Sequence, residues 1–125
     1  MATLTRTSPS ATANGNWNAG AADASMTAVA ASDSVTNADG RTFLWVSNQG
    51  GSTDTITIPV QNATQYSASG VPLTPSAITV AVATTERRLI GPISPSVYND
   101  SGGNITIQHS FTTSVKILAL AIPSF

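Results

Sequence analysis

The chain has no cysteine and a single histidine. The first absence removes disulfides and thiolate zinc sites, and the second removes a histidine-rich metal centre. Charge is scarce as well. Asp, Glu, Lys and Arg make up 9% of the 125 residues, against about a quarter in an ordinary globular domain. A net charge of −1 supplies no basic stripe for nucleic acid and no acidic tail. Long apolar runs are missing too. The longest, "VKILALAI" from Val115 to Ile122, falls far short of the ~20 residues that a membrane-crossing helix requires. The opening "MATLTRTSPSATANGNWNAG" has no apolar segment of the secretory kind. The expectation is a soluble protein made in a cytoplasm, with no membrane, nucleic-acid or cofactor partner.

Ser, Thr, Asn and Gly stand where charge is missing. A polar but nearly uncharged surface repels little, and it tolerates close contact with neighbouring copies. Residues 1–22 are rich in these residues and show almost no periodicity. They read as an extended N-terminal arm, ahead of a β domain over 23–125. Trp17 is the exception within the arm, because a tryptophan among polar residues wants a pocket on this chain or on a neighbour.

From Asp23 onward the pattern is β. "DTITIPVQ" (54–61) alternates, with Ile56, Ile58 and Val60 on one side, and "AITVAVA" (77–83) does the same with Ile78, Val80 and Val82. "NITIQHS" (104–110) puts Ile105 and Ile107 on one face, and His109 shares their parity. "RTFLWVSN" (41–48) and "SVKILALAI" (114–122) are apolar on both parities, as covered strands are, so Trp45 is expected in the core. "RRLIGPI" (87–93) is a short strand broken by Gly91 and Pro92, and a weaker strand is expected near 24–31. "NADG", "NQGGST", "SASGVPLTP" and "NDSGG" are turns. No apolar spacing of 3.6 persists for three turns. Seven or eight short strands with polar turns predict an antiparallel β-sandwich of jelly-roll or Ig-like type.

Catalytic inventory is thin. No Gly-x-Ser-x-Gly elbow or phosphate-binding glycine loop occurs. Asp33, Asp39, Asp54 and Asp100 fall in or beside predicted turns, where Asp serves the backbone. His109 reads as the end of a core-facing row, and only a concave site beside Asp100 or Asp54 would make it a catalytic base. The protein is therefore expected not to be an enzyme. Arg87 and Arg88 are adjacent on a strand, so they point to opposite faces and form no single patch. They read as an edge with an ion pair to Glu86, or as an inter-subunit contact. Tyr66 and Tyr98 fall in loops, where exposed aromatics would suit a sugar-binding module.

Several segments taken in order carry a resemblance: Asp39-Gly40-Arg41-Thr42, Asn48, Arg88-Leu89-Ile90-Gly91-Pro92 and Tyr98-Asn99. Over roughly residues 37–122 this order resembles the capsid decoration, or cement, proteins of tailed-bacteriophage heads. The resemblance implies a homotrimer on the outer surface of a virion, bound to the major capsid protein and strengthening contacts between capsomers. Under it the assembly contacts would include Arg6, Trp17, Arg87, Arg88 and Tyr98. The competing expectation is a carbohydrate- or host-surface-binding module of a head or tail fibre.

Overall fold

In the computed structural model the described residues are 2–7, 26–63, 65–66 and 69–121. Among them are twelve strands and one short helix: β1 (Ala2–Leu4), β2 (Arg6–Thr7), β3 (Thr27–Ala28), β4 (Ser32–Thr36), β5 (Thr42–Asn48), β6 (Asp54–Ile58), β7 (Gln65–Tyr66), β8 (Pro72–Leu73), β9 (Ile78–Val82), β10 (Arg87–Ile90), α1 (Pro95–Tyr98), β11 (Asn104–His109) and β12 (Val115–Ala121). No helix among the described residues is long and apolar enough to cross a membrane.

The strands build an all-β fold of two sheets. The first runs β1-β4-β11-β6-β9. The second runs β10-β5-β12, and β2 and β3 share the outer edge of β12. A separate two-stranded ribbon joins β7 and β8. Alternation explains the layers. Val35, Ile56, Ile58, Val82, Ile105 and Ile107 project from the first sheet, and Leu44, Val46, Ile90, Val115, Ile117 and Ala119 from the second, into one buried core. Each large aliphatic side chain so buried contributes roughly 1.5–3 kcal/mol against leaving it in water.

β12 is apolar on both parities because both of its faces are covered. Ile117 and Ala119 face the core, while Leu118 and Leu120 pack with Met26, Phe43 and Trp45 on the outer face of the second sheet. Trp45 therefore does not sit between the sheets as its strand context suggested. It is half-buried on the far side, with its indole N–H out of solvent and without a hydrogen-bond partner.

Two sides of the sandwich differ. On one side the chain start closes it: β1 pairs parallel with β4 in the first sheet, Thr5 passes across, and β2 pairs parallel with β12 in the second. Leu4 joins the core there. The predicted arm over 1–22 thus begins as sandwich, and its remainder from residue 8 lies outside the described residues. On the other side the consecutive strands β9 and β10 end the two sheets. No strand among the described residues pairs with the outer edge of either.

The weak strand expected over 24–31 is displaced. Among the described residues only β3 lies there, and the full strand is β4, whose Asp33 had marked it as a turn. Asp33 and Val35 both point into the molecule, so a buried carboxylate takes the place of an aliphatic residue in the alternation.

Candidate functional site

The most concentrated set of ionisable side chains lies inside the protein. Asp33 from β4, Asp54 from β6 and His109 from β11 project from neighbouring strands of the first sheet, and their side chains have no exposed surface. Asp54 Oδ1 accepts the backbone N–H groups of Ser110 (3.0 Å) and Phe111 (3.2 Å), and Oδ2 lies 2.6 Å from His109 Nδ1. A carboxylate engaged in this way makes Nδ1–H the donor. His109 Nε2 then faces Asp33 Oδ2 at 3.7 Å, beyond hydrogen-bond reach. Asp33 Oδ2 takes the Ala30 N–H at 3.2 Å.

His109 does sit beside Asp54, the neighbour that catalysis would have needed, but the cluster is sealed. The adjacent hydroxyl, Ser110 Oγ, is occupied by the Thr55 N–H at 2.7 Å. The Asp54–His109 contact ties β6 to β11, and Asp54 accepts two amides where the chain leaves β11. Asp39 and Asp100 do occupy turns. Asp100 Oδ1 accepts the Gly102 and Asn104 N–H groups. No group of three or more His, Cys, Asp or Glu suited to a metal ion occurs among the described residues.

A second polar set holds the loops. Asn48 Nδ2 donates to Ser52 O (2.7 Å) and Val82 O (2.8 Å), while its Oδ1 accepts the Gly50 N–H (2.9 Å). Asn37 donates to Ile93 O and to Asn99 Oδ1 and accepts from the Thr42 N–H. Asn99 returns a bond to Asn37 O. Thr42 Oγ1 donates to Thr36 O. Gly91 has a φ of +141°, and a Cβ there would lie 2.9 Å from the Phe43 ring and 3.0 Å from Thr42 O. Of the segments that carried the family resemblance, 39–42, Asn48, Gly91-Pro92 and Tyr98-Asn99 lie at corners and loop anchors of this fold, while Arg88-Leu89-Ile90 belong to strand β10. Asn37 escaped the sequence reading, since nothing local distinguishes it from the chain's many turn asparagines.

The predicted contact residues do not converge. Arg6, on β2, binds Asp39 Oδ1 at 2.7 Å and Thr42 Oγ1 at 3.2 Å. It staples the first strands to the β4–β5 turn. Arg88 Nε binds Glu86 Oε1 at 2.8 Å, the ion pair foreseen for this edge. Arg87 lies on the outer face of the second sheet, and Arg87 and Arg88 are both exposed. Tyr98, in α1, is half-buried against the core and donates its hydroxyl to Ser76 O at 2.7 Å. It is no exposed platform for a sugar ring. The Tyr66 side chain and Trp17 lie outside what is described.

The Arg6 guanidinium, followed by the Arg41 N–H, holds the Asp39 carboxyl below its ordinary value. The Arg88 side chain, followed by the Ala83 N–H, does the same for Glu86. A depressed carboxyl contributes stability above its unfolded value, 3.8 for Asp39, and loses it as pH falls through the lower folded value. Hydrogen-exchange protection at Arg6 and Thr7, corrected for intrinsic rates, is therefore expected to fall as the pH drops below 3.8 and Asp39 takes up its proton. Protection in β5 that persists over that window identifies the loss as local. Unchanged protection at Arg6 would remove the Arg6–Asp39 contact from the anchoring of β2.

Compared with protein families, characterised proteins and solved structures, the chain matches none. Two surface features stand out among the described residues. One is the open side formed by β9 and β10. β9 is uncharged along its length, with Thr79 and Ala81 exposed. β10 exposes Arg87, Arg88 and Leu89, the last at 54%. The other is the outer face of the second sheet. In register across it run Leu89–Trp45–Leu118 and, two residues away, Arg87–Ser47–Lys116.

Proposed function

We propose that this is a structural assembly protein, a decoration or cement protein that binds the outside of a bacteriophage head as a homotrimer and reinforces contacts between capsomers. The sandwich would be of the jelly-roll or Ig-like kind. The observation that carries the assembly reading is the open side. An unpaired edge strand presents a row of backbone donors and acceptors, and proteins that work alone blunt such edges with charge, proline or a covering segment. β9, with the sequence Ile-Thr-Val-Ala-Val, carries neither charge nor proline. Coverage by another subunit resolves that exposure. The narrower capsid assignment rests on the order of motifs between residues 37 and 122, and the low surface charge favours many copies packed close together.

Ala81 is exposed on β9 and pairs across to Thr55. Ala81→Lys places a charge on the open edge and is expected to shift thermal stability by no more than about 0.5 kcal/mol, as surface changes do. The same change is expected to reduce self-association in light scattering and to abolish attachment to shells. Undiminished association and attachment in a folded Ala81→Lys protein would exclude the β9 edge as the contact.

A further inference from the structure

The register of the first sheet fixes which way each main-chain group of β9 points. Just past β11, the Ser110 N–H donates to Thr55 O at 3.2 Å, and the Thr55 N–H donates to Ser110 Oγ. Thr55 on β6 thus turns its main-chain polar groups toward β11. Along an antiparallel strand these groups alternate sides, so Asp54, Ile56 and Ile58 turn theirs toward β9. Their partners there are Val82, Val80 and Ile78. Thr79 and Ala81, which alternate with them, point N–H and C=O away from the sheet. Neither has a partner for these groups among the described residues.

The window is bounded. The next outward residue, Ala83, is already satisfied. Its N–H meets Glu86 Oε1 at 3.3 Å, and its C=O accepts the Glu86 N–H at 3.0 Å. Within β9 itself, Thr79 and Ala81 are therefore the outward pair, set symmetrically about Val80. Both side chains are exposed and small, so neither obstructs the edge. Val80 points inward and is half-buried against the core.

We infer that a second copy of this chain covers the open edge, β9 against β9, antiparallel about a twofold axis at Val80. The occupant follows from self-complementarity. Thr79 opposite Ala81 of the second copy, and Ala81 opposite its Thr79, are both hydrogen-bonded pairs, each exchanging two N–H···O bonds. Every outward group of both strands gains a partner, and no residue beyond the strand is used. A slip by one residue would set outward groups against inward ones. Val80 meets its own counterpart in the non-hydrogen-bonded pair between, where side chains come closest. Two β-branched residues pack there and carry the apolar interior across the join. β9 has no charge, so the twofold places no like charges opposite each other. The result joins the first sheets of two copies into one continuous sheet.

This pairing rests on the assembly reading above for the open edge as a contact, and it adds the occupant. A twofold contact is distinct from the threefold one of a trimer, so on a shell it would link copies of neighbouring trimers.

The test is disulfide trapping in the full chain, which has no cysteine of its own. In the inferred register the two Val80 Cα atoms lie ~4.5 Å apart, within disulfide range, whereas the two Thr79 Cα atoms are diagonal neighbours at about 8 Å, beyond it. In a glutathione redox buffer, Val80→Cys chains are expected to join as a covalent dimer and Thr79→Cys chains to remain single. Ala81→Pro removes the outward N–H and leaves the β6 ladder intact, as proline does on an edge. It deletes half of the new hydrogen bonds, so sedimentation equilibrium is expected to show self-association weakened roughly tenfold. Val80→Cys chains that stay single, or joining through Thr79→Cys instead, would overturn the inference. So would unweakened association of a folded Ala81→Pro protein. Heads that bind the protein while Val80→Cys stays single would keep the capsid reading and remove this pairing. Val80→Cys dimers of a protein that ignores heads would keep the pairing and remove the capsid reading.

Discussion

Replacing Asp54 with alanine is expected to destabilise the protein by about 3–5 kcal/mol, the scale of breaking a buried polar pair by removing one partner. Two donors lose their acceptor, His109 Nδ1–H and the Phe111 N–H, and the Ser110 N–H keeps only its bond to Thr55 O at 3.2 Å. The imidazole regains no water, because the His109 and Asp54 side chains have no exposed surface. That loss is a large part of the ~5–15 kcal/mol that a domain of this size commands. Asp54→Asn should cost clearly less. Its carbonyl oxygen still accepts the two amides, while its NH₂ faces Nδ1. The imidazole then changes tautomer, so that Nδ1 accepts and Nε2–H turns to Asp33. The chain has one histidine, so its two ring-nitrogen signals report this directly. Chemical denaturation of the three proteins, read beside those spectra, checks both halves of the expectation. An Asp54→Ala protein as stable as the parent would mean that the cluster holds nothing together.

Deleting residues 2–7 is expected to lower stability by roughly 2–4 kcal/mol, from the loss of Leu4 in the core and of the two short edge ladders. A midpoint about 10 °C lower follows for a domain of this length. The deletion also uncovers the β4 and β12 edges, so aggregation on heating is expected to rise. Treated as a free arm, this segment would be removable without penalty to the β domain. As built, Leu4 pairs opposite Val35, and Arg6 reaches Asp39. An unchanged midpoint after the deletion would show that the parallel strands contribute nothing in solution. Leu4→Ala separates the core contribution from the ladders.

What the sequence disclosed and what it concealed divide along physical lines. β6, β9, β11 and β12 declared themselves because their apolar residues recur every second position or fill both parities. Arg87 and Arg88 were placed on opposite faces by the same period. β4 was hidden because Ser-Asp-Ser-Val-Thr looks like a turn. Asp33 accepts the Ala30 N–H in the interior, and the imidazole that it faces there, His109, is 76 positions away in the chain. β1, β2 and β3 span two or three residues each, too few for any period to show, and their strand character comes from the edges they meet. Trp45 was assigned to the interior because its strand is apolar on both sides, yet the sheet has a second apolar face outside the sandwich. The Arg87–Ser47–Lys116 row was unreadable for the same reason as the buried cluster. Arg87 and Lys116 are far apart in the chain, and only the β10–β5–β12 register sets them on either side of Ser47.

The opening of one side of the sandwich, and not any catalytic group, is what links this structure to its proposed work. The most direct measurement of the proposed capsid role is co-sedimentation of the purified protein with tailed-phage heads stripped of their surface proteins. The account predicts saturable pelleting at a fixed ratio to the major shell protein, lost in Ala81→Lys. Protein that remains in the supernatant at every concentration, while the folded domain is intact by spectroscopy, would contradict it.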